Sequence, residues 1–231
     1  MNEVKLNIGA GRTYIPGYVN IDISPKADVT LDLSQDVLPF EDSSVDLVFS
    51  YHTLEHVDNY LFALGEIHRV LKHGRPFLLG LPYVTLTQYH LVNPYHHHNF
   101  NEYSFYFFDP DKLKGSAVEE NPILFQKVFH HFHYIGMFHL VPPPFRSWCR
   151  RHLLNVVRAI DFGLLAIKYP QQRITVSTKD RFRLQLDLFQ CLFARIPYDS
   201  PLPRQGKKQF PWSMSPRKIA NLVQTWWKGG L

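Results

Sequence analysis

The sequence predicts an α/β fold built on a mostly parallel sheet. Three observations lead there. Short apolar runs alternate with crossover segments through the first third of the chain. The first run ends in Gly9-Ala10-Gly11, and the next two end near Asp22 and Asp32. A parallel sheet binds ligands at the carboxyl ends of its strands, which is where these residues fall.

Strands are expected at 4–8, 18–23, 29–33, 45–50 and 75–81, the last stopped by Pro82. A helix is expected at 58–72, because Leu61, Leu64, Ile67 and Leu71 recur at three- and four-residue steps. Asp58 or Asn59 suits its start, and Lys72 with Gly74 its end. Residues 82–122 read as a long loop with short helices, in which 84–122 could close over the site as a lid and 102–108 make a helical turn or two. Partial alternation at 123–134 and 182–196 predicts the last two strands, paired antiparallel. Between them Pro142-Pro143-Pro144 breaks the chain, and a helix is expected at 147–168, with Leu153, Val157, Ile160 and Leu164 on one face. The expected organisation is a core over 1–141, a basic helical insertion over 142–181, and a last core strand with a tail over 182–231.

At 231 residues the chain is long enough for one α/β domain with an elaboration, and its 45% hydrophobic content excludes general disorder. No apolar stretch is long enough to span a bilayer, and the first residues lack a secretory pattern, so a cytoplasmic location is expected, peripheral to the inner membrane face. Two cysteines, Cys149 and Cys191, exclude a disulfide scaffold. The net charge of +5 hides a division. Residues 1–141 carry nine basic and sixteen acidic side chains, whereas 142–231 carry sixteen and four, a net +12. A solvated basic face explains this division; attraction to an anion, such as a phosphorylated substrate, an anionic lipid surface or nucleic acid, is the sharper reading.

A glycine pair after the first strand lets the backbone approach a ligand. Asp22 at the end of the next strand is placed to accept hydrogen bonds from ribose hydroxyls, and Asp32 to meet an adenine edge. Only residues 12–21 separate Gly11 from Asp22, and they include the second strand, so no full helix fits there. A dinucleotide site uses that helix to hold a pyrophosphate. A nucleoside ligand without phosphates, such as S-adenosylmethionine (SAM), has no need of it.

The ordered set LNIGAG, NID, LDLSQDVLPFEDSSVDLVFSYHTLEHV and RVLKHGRPFLLGLPY, over residues 4–83, resembles the class I SAM-dependent methyltransferases, and most closely the type 11 group, in the branch linked to glycan and cell-surface polysaccharide biosynthesis. The resemblance implies a Rossmann-like seven-stranded sheet with helices on both faces and the last strand antiparallel. It implies that Gly9, Ala10 and Gly11 contact the methionine part of SAM, that Asp22 and Ile23 hold ribose and adenine, that Asp32 and Leu33 contact the adenine, and that Ser50 lies beside the methyl-transfer site. Asn7 stands where many members have an acidic residue, and a turn replaces the usual first helix.

Methyl transfer to oxygen needs a base close to the methyl group. His52, just after the fourth strand, is the first candidate, with Glu55 and His56 following it. The segment YHHHNFNEYSF is the second: His97 and His98 as further catalytic candidates, and His96, Asn99, Glu102 and Tyr103 as acceptor-binding residues. Three adjacent histidines cannot all face one metal from regular structure. One or two could, with Glu102 as carboxylate ligand, but a metal-free pocket is the expectation. Phe105, Tyr106, Phe107 and Phe108 are expected either to wall the acceptor site or to join the core. The stripe of the 147–168 helix is expected to pack on the core or on a second copy in a homodimer. Its Trp148, Arg150 and Arg151 would alternatively rest weakly on an anionic membrane. The leading expectation is methylation of a small-molecule or glycan acceptor. The alternatives are a SAM-fold binding protein without turnover and an RNA methyltransferase. The segment SYHT after the fourth strand disfavours nucleic acid as a partner, because it lacks the Asn/Asp-Pro-Pro-aromatic run of amino-methylating nucleic-acid enzymes.

Overall fold

The computed structural model describes residues 3–112, 123–169 and 171–200. The chain runs β1 (Lys5–Ile8), β2 (Thr13–Tyr14), β3 (Val19–Asp22), β4 (Val29–Thr30), β5 (Leu47–Tyr51), α1 (Tyr60–Val70), β6 (Pro76–Pro82), β7 (Phe125–Tyr134), α2 (Pro143–His152), β8 (Val157–Ala166), α3 (Thr178–Phe193) and β9 (Ile196–Pro197). Seven strands form one sheet in the order β4-β3-β1-β5-β6-β8-β7, and β2 pairs with β9 in a small second sheet. The first five are parallel, while β8 runs antiparallel to both of its neighbours. This is the Rossmann-like architecture with helices on both faces that the first residues predict.

Alternation along the central strands splits the core in two. Leu6, Ile8, Val48, Phe77 and Leu79 face α1, where Ala63, Leu64 and Ile67 cover them. Leu47, Phe49 and Leu78 face the other way and pack on Leu188 and Phe189 of α3. Asn59 caps α1, its side chain accepting from the Phe62 amide at 3.2 Å. Arg69 clamps the long β4–β5 connection onto α1, donating to both carboxylate oxygens of Glu66 at 2.8 Å and to the Leu38 and Phe40 carbonyls at 2.9 Å.

The second half departs from expectation. The expected helix at 147–168 is two elements: the helix α2 ends at His152, Asn155 takes a left-handed φ of 57°, and residues 157–166 become the strand β8. This strand is buried on both faces except at Arg158. It therefore lacks alternation, and an apolar run of that kind reads equally as a buried strand or a helix. The expected strand at 182–196 is the helix α3. Its capping box is visible in Ser177 and Asp180, each side chain accepting from the other's backbone amide. The alternating Arg181-Phe182-Arg183-Leu184 at its start conceals a helical spacing through Leu184, Leu188 and Cys191. The antiparallel pairing with β7 is therefore made by β8, so 142–181 is not purely a helical insertion and 182–231 contributes no strand to the main sheet. Residues 102–108 form turns, with Phe105 and Phe108 in the core. The tail's Lys207-Lys208, Arg217-Lys218 and Trp226-Trp227 lie outside the described residues, as does the end of the segment expected as a lid.

Candidate active site

The carboxyl ends of β1, β3 and β5 converge on the glycine turn. Gly9 has φ +71° and Gly11 φ +60°. A Cβ on Gly9 would meet Thr53 Oγ1 at 2.0 Å, whereas one on Gly11 would meet nothing within 4 Å. The first glycine thus lets the turn close against the β5 end, and the second leaves open space. The Gly9 and Ala10 amides donate to the Ile21 carbonyl, holding the turn against β3. Asp22 braces it further: Oδ2 accepts from the Gly11 amide at 2.8 Å and Oδ1 from the Ser24 amide at 2.9 Å. Each of these oxygens keeps a second lone pair for another donor. Ile23 beside it is 72% exposed. Asp32 lies beyond β4, where Oδ1 accepts from the Ser34 amide at 2.9 Å, and Leu33 is buried. Ser50 ends the buried part of β5, and its hydroxyl has no hydrogen-bond partner among the described residues. A turn with room beside Gly11, a carboxylate with free lone pairs, an exposed isoleucine and an orphaned hydroxyl at the strand ends fit an adenosine-bearing ligand.

Asn7 does not join them. Its side chain is 2% exposed and donates to Asn20 Oδ1 at 2.9 Å, and Asn20 in turn binds Asp28. An amide can tie two strands together inside the fold, and here it does so instead of reaching the cleft.

His52 follows β5 with φ +52°, a left-handed conformation rare for a residue with a side chain. The Gly80 carbonyl holds its amide at 2.9 Å. Its ring is 39% exposed and its Nδ1 lies 3.2 Å from Oε1 of the buried Glu55. The loop after β6 packs against this turn. The His97 amide donates to the Glu55 carbonyl at 2.7 Å, His98 Nε2 bonds the Val57 carbonyl at 2.8 Å, and His97 Nε2 sits 3.1 Å from Asp58 at the surface. His90 rests in a π-helical turn over Thr87–Leu91, bonded to His96 and Asn99. Burial, above all, holds His90 and His96 below the ordinary imidazole range.

The structure therefore gathers His52, Glu55, His56, His90, His96 and Asn99 in one place, and sets His97 and His98 to hold the loop. Glu102 and Tyr103 lie apart. Glu102 is buried in an ion pair with Arg150 and accepts from the Tyr83 hydroxyl, so the carboxylate among the histidines is Glu55, not Glu102. Tyr103 packs edge-on against Tyr106. Thr53 was not legible as a site residue, because its role is to fill the space a side chain at position 9 would need. A cavity of about 340 Å³ opens at the opposite end of the central strands, beside Lys5, Asp46, Arg75 and Asp187, away from the carboxyl ends where such sheets bind ligands.

Residues 12–79 match a family model described as a methyltransferase domain. A SAM-dependent methyltransferase from Archaeoglobus fulgidus superposes with a TM-score of 0.51 at 15% identity, covering 71% of this chain and 86% of that one. The YcgJ protein from Bacillus subtilis superposes with a TM-score of 0.48 at 15% identity, covering 73% and 93%. No curated protein compared with the chain matches it. The domain match over residues 12–79, with the seven-stranded order and the glycine turn just described, makes the chain similar to the class I SAM-dependent methyltransferases of type 11.

Proposed function

We propose that the chain is a SAM-dependent methyltransferase that acts on an oxygen atom of a small-molecule or glycan acceptor, with His52 as the base. The observation that carries the reading is the strained His52 at the end of β5, paired with a buried carboxylate and still open to the cleft. The Gly9–Gly11 backbone would lie against the methionine part of SAM, Asp22 would accept from the ribose hydroxyls, and Ile23, Asp32 and Leu33 would border the adenine. SAM supplies a methyl group made electrophilic by the adjacent sulfonium charge. Glu55 Oε1 accepts the Nδ1 proton of His52, which fixes the tautomer and leaves Nε2 as the lone-pair nitrogen. That nitrogen takes the acceptor hydroxyl proton as the oxygen–carbon bond forms and the carbon–sulfur bond breaks. Exposed Tyr89 and Tyr95, beside His90 and His56, offer ring faces to a sugar.

A lipid-carried acceptor suits the outer face of α2. Phe145 and Trp148 are exposed there beside Arg146 and Arg151, and Met137 and Leu140 are exposed in the turn before the helix, the mixture that favours an anionic interface. Among the described residues no helix is long and apolar enough to cross a membrane.

The test is transfer of labelled methyl from SAM to fractionated extract. Label in glycan or small-molecule fractions, as an alkali-stable methyl ether, is expected. Label in RNA alone would overturn the acceptor class, and label in an amine would overturn the oxygen assignment. Sedimentation with phosphatidylglycerol vesicles, lost in Trp148→Glu, checks the α2 surface; self-association with no vesicle binding would make it a dimer face.

A further inference from the structure

Beyond the His52 pair, three groups of metal-ligand type meet where the turn after β5 touches the loop after β6. One donor atom from each of Glu55, His56 and His96 lies within 4.8 Å of the other two. Their hydrogen bonds determine which atoms are left over. His90 Nε2 donates to Asn99 Oδ1 at 2.8 Å, so His90 Nδ1 carries a lone pair. His96 Nδ1, 2.6 Å away, must donate to it, which leaves the lone pair of His96 on Nε2. His56 Nδ1 donates to the Tyr95 carbonyl at 3.0 Å, again leaving Nε2. Glu55 spends Oε1 on His52, while its Oε2 is buried with no hydrogen-bond partner among the described residues. A buried carboxylate oxygen left without a donor is costly. Two imidazoles beside it, each with its Nε2 lone pair unspent in these bonds, supply the rest of a cation site.

We propose that Glu55, His56 and His96 bind a divalent transition ion of the zinc type. Two imidazoles and one carboxylate form the three-protein-ligand set that leaves further positions open for water or substrate, and the exposure of His56 puts those positions towards solvent. Calcium and magnesium would want more oxygen ligands. Ligand atoms around a tetrahedral zinc lie about 3.4 Å apart, so closing on the ion needs side-chain movements of about an ångström. His90, Asn99 and the Tyr95 carbonyl are the outer partners that orient the ligating rings. The open position would take an oxygen of the methyl acceptor. That last step rests on the proposed methyl-transfer reading; the ion site itself does not.

The experiment is calorimetric titration of the tag-free, chelator-treated full chain with zinc chloride, and absorption spectroscopy of the cobalt(II) form. One equivalent should bind, and cobalt should give visible d–d bands without a thiolate charge-transfer band. Glu55→Gln, His56→Ala and His96→Ala should each weaken binding at least about 100-fold, and Asn99→Ala about 10-fold. Titration with S-adenosylhomocysteine shows that each variant is folded. Absence of stoichiometric binding, or wild-type zinc affinity in folded His56→Ala and His96→Ala, would overturn the site. Stoichiometric zinc with turnover indifferent to it would overturn only the acceptor role. Stoichiometric zinc with no methyl transfer to any acceptor would sustain the site while the functional reading failed.

Discussion

Two histidine–carboxylate pairs sit in different parts of this molecule. His133 Nε2 meets Asp161 Oδ2 at 2.6 Å, with side chains 10% and 0% exposed, across the paired strands β7 and β8. His52 meets Glu55 at 3.2 Å, three residues along the same turn, with its ring 39% exposed and its backbone strained. The same chemistry serves different ends because the surroundings differ. In the sheet a short bond between rigid strands leaves the imidazole little to do except join them. At the strand ends the carboxylate is buried and the imidazole is not, so the ring is oriented and still available to a ligand. Asp161 also fills the space over Gly80, where a Cβ would lie 2.7 Å from its Oδ1.

Substitution separates the two pairs. His52→Ala should lower kcat by about 10²–10⁴-fold, the usual contribution of a general base, while the urea midpoint and S-adenosylhomocysteine affinity stay close to wild type; steady-state kinetics and titration check this. Asp161→Asn should do the opposite. Replacing an acceptor in a fully buried pair should cost about 3 kcal/mol of stability, read from urea unfolding, without a selective loss of turnover in the protein that remains folded. A large kcat effect at Asp161 with unchanged stability would erase the distinction. Gly9→Ala tests the cleft from its other side. Left-handed strain of about 1–2 kcal/mol, together with the collision with Thr53, should weaken S-adenosylhomocysteine binding at least about 10-fold in titration.

The last effect is a dependence on acidity. Burial pushes the His68 and His131 imidazoles down to about 4 from 6.5. Between these values the unfolded chain takes up protons that the folded chain refuses. Stability is therefore complete above about pH 6.5 and falls as the pH drops towards 4, by about 1.4 kcal/mol per pH unit for each such group. His68→Gln should flatten the fall in urea midpoint over that window; an unchanged slope would mean that His68 does not cause it.

What the sequence made legible follows the same division between local and distant. The five early strands, α1 and the glycine turn are read from short-range patterns, and the structure keeps them within a few residues, although the third strand shrinks to Val29–Thr30 and puts Asp32 in a turn. The pairing of His52 with Glu55 is also local. The partners that complete the cluster are not: His90 and His96 come from the loop after β6, and only the packing of that loop on the turn selects them over His97 and His98. The second half misled for a different reason. Burial on both faces removed the alternation of β8, and charged residues at the start of α3 imitated it.

The helix α3 and the small β2–β9 pair have a consequence for the order of events during synthesis. No helix follows β1 to shield that face of the sheet; the cover comes from the far end of the described chain, where Leu188 and Phe189 pack on Phe49, and Ile196 pairs with Tyr14. The glycine turn leaves the ribosome first, but its buttress leaves nearly two hundred residues later. A nascent chain halted before α3 would expose Phe49 and Leu78 to water or to a chaperone, so the cleft at the strand ends matures only when late sequence folds back over early sequence.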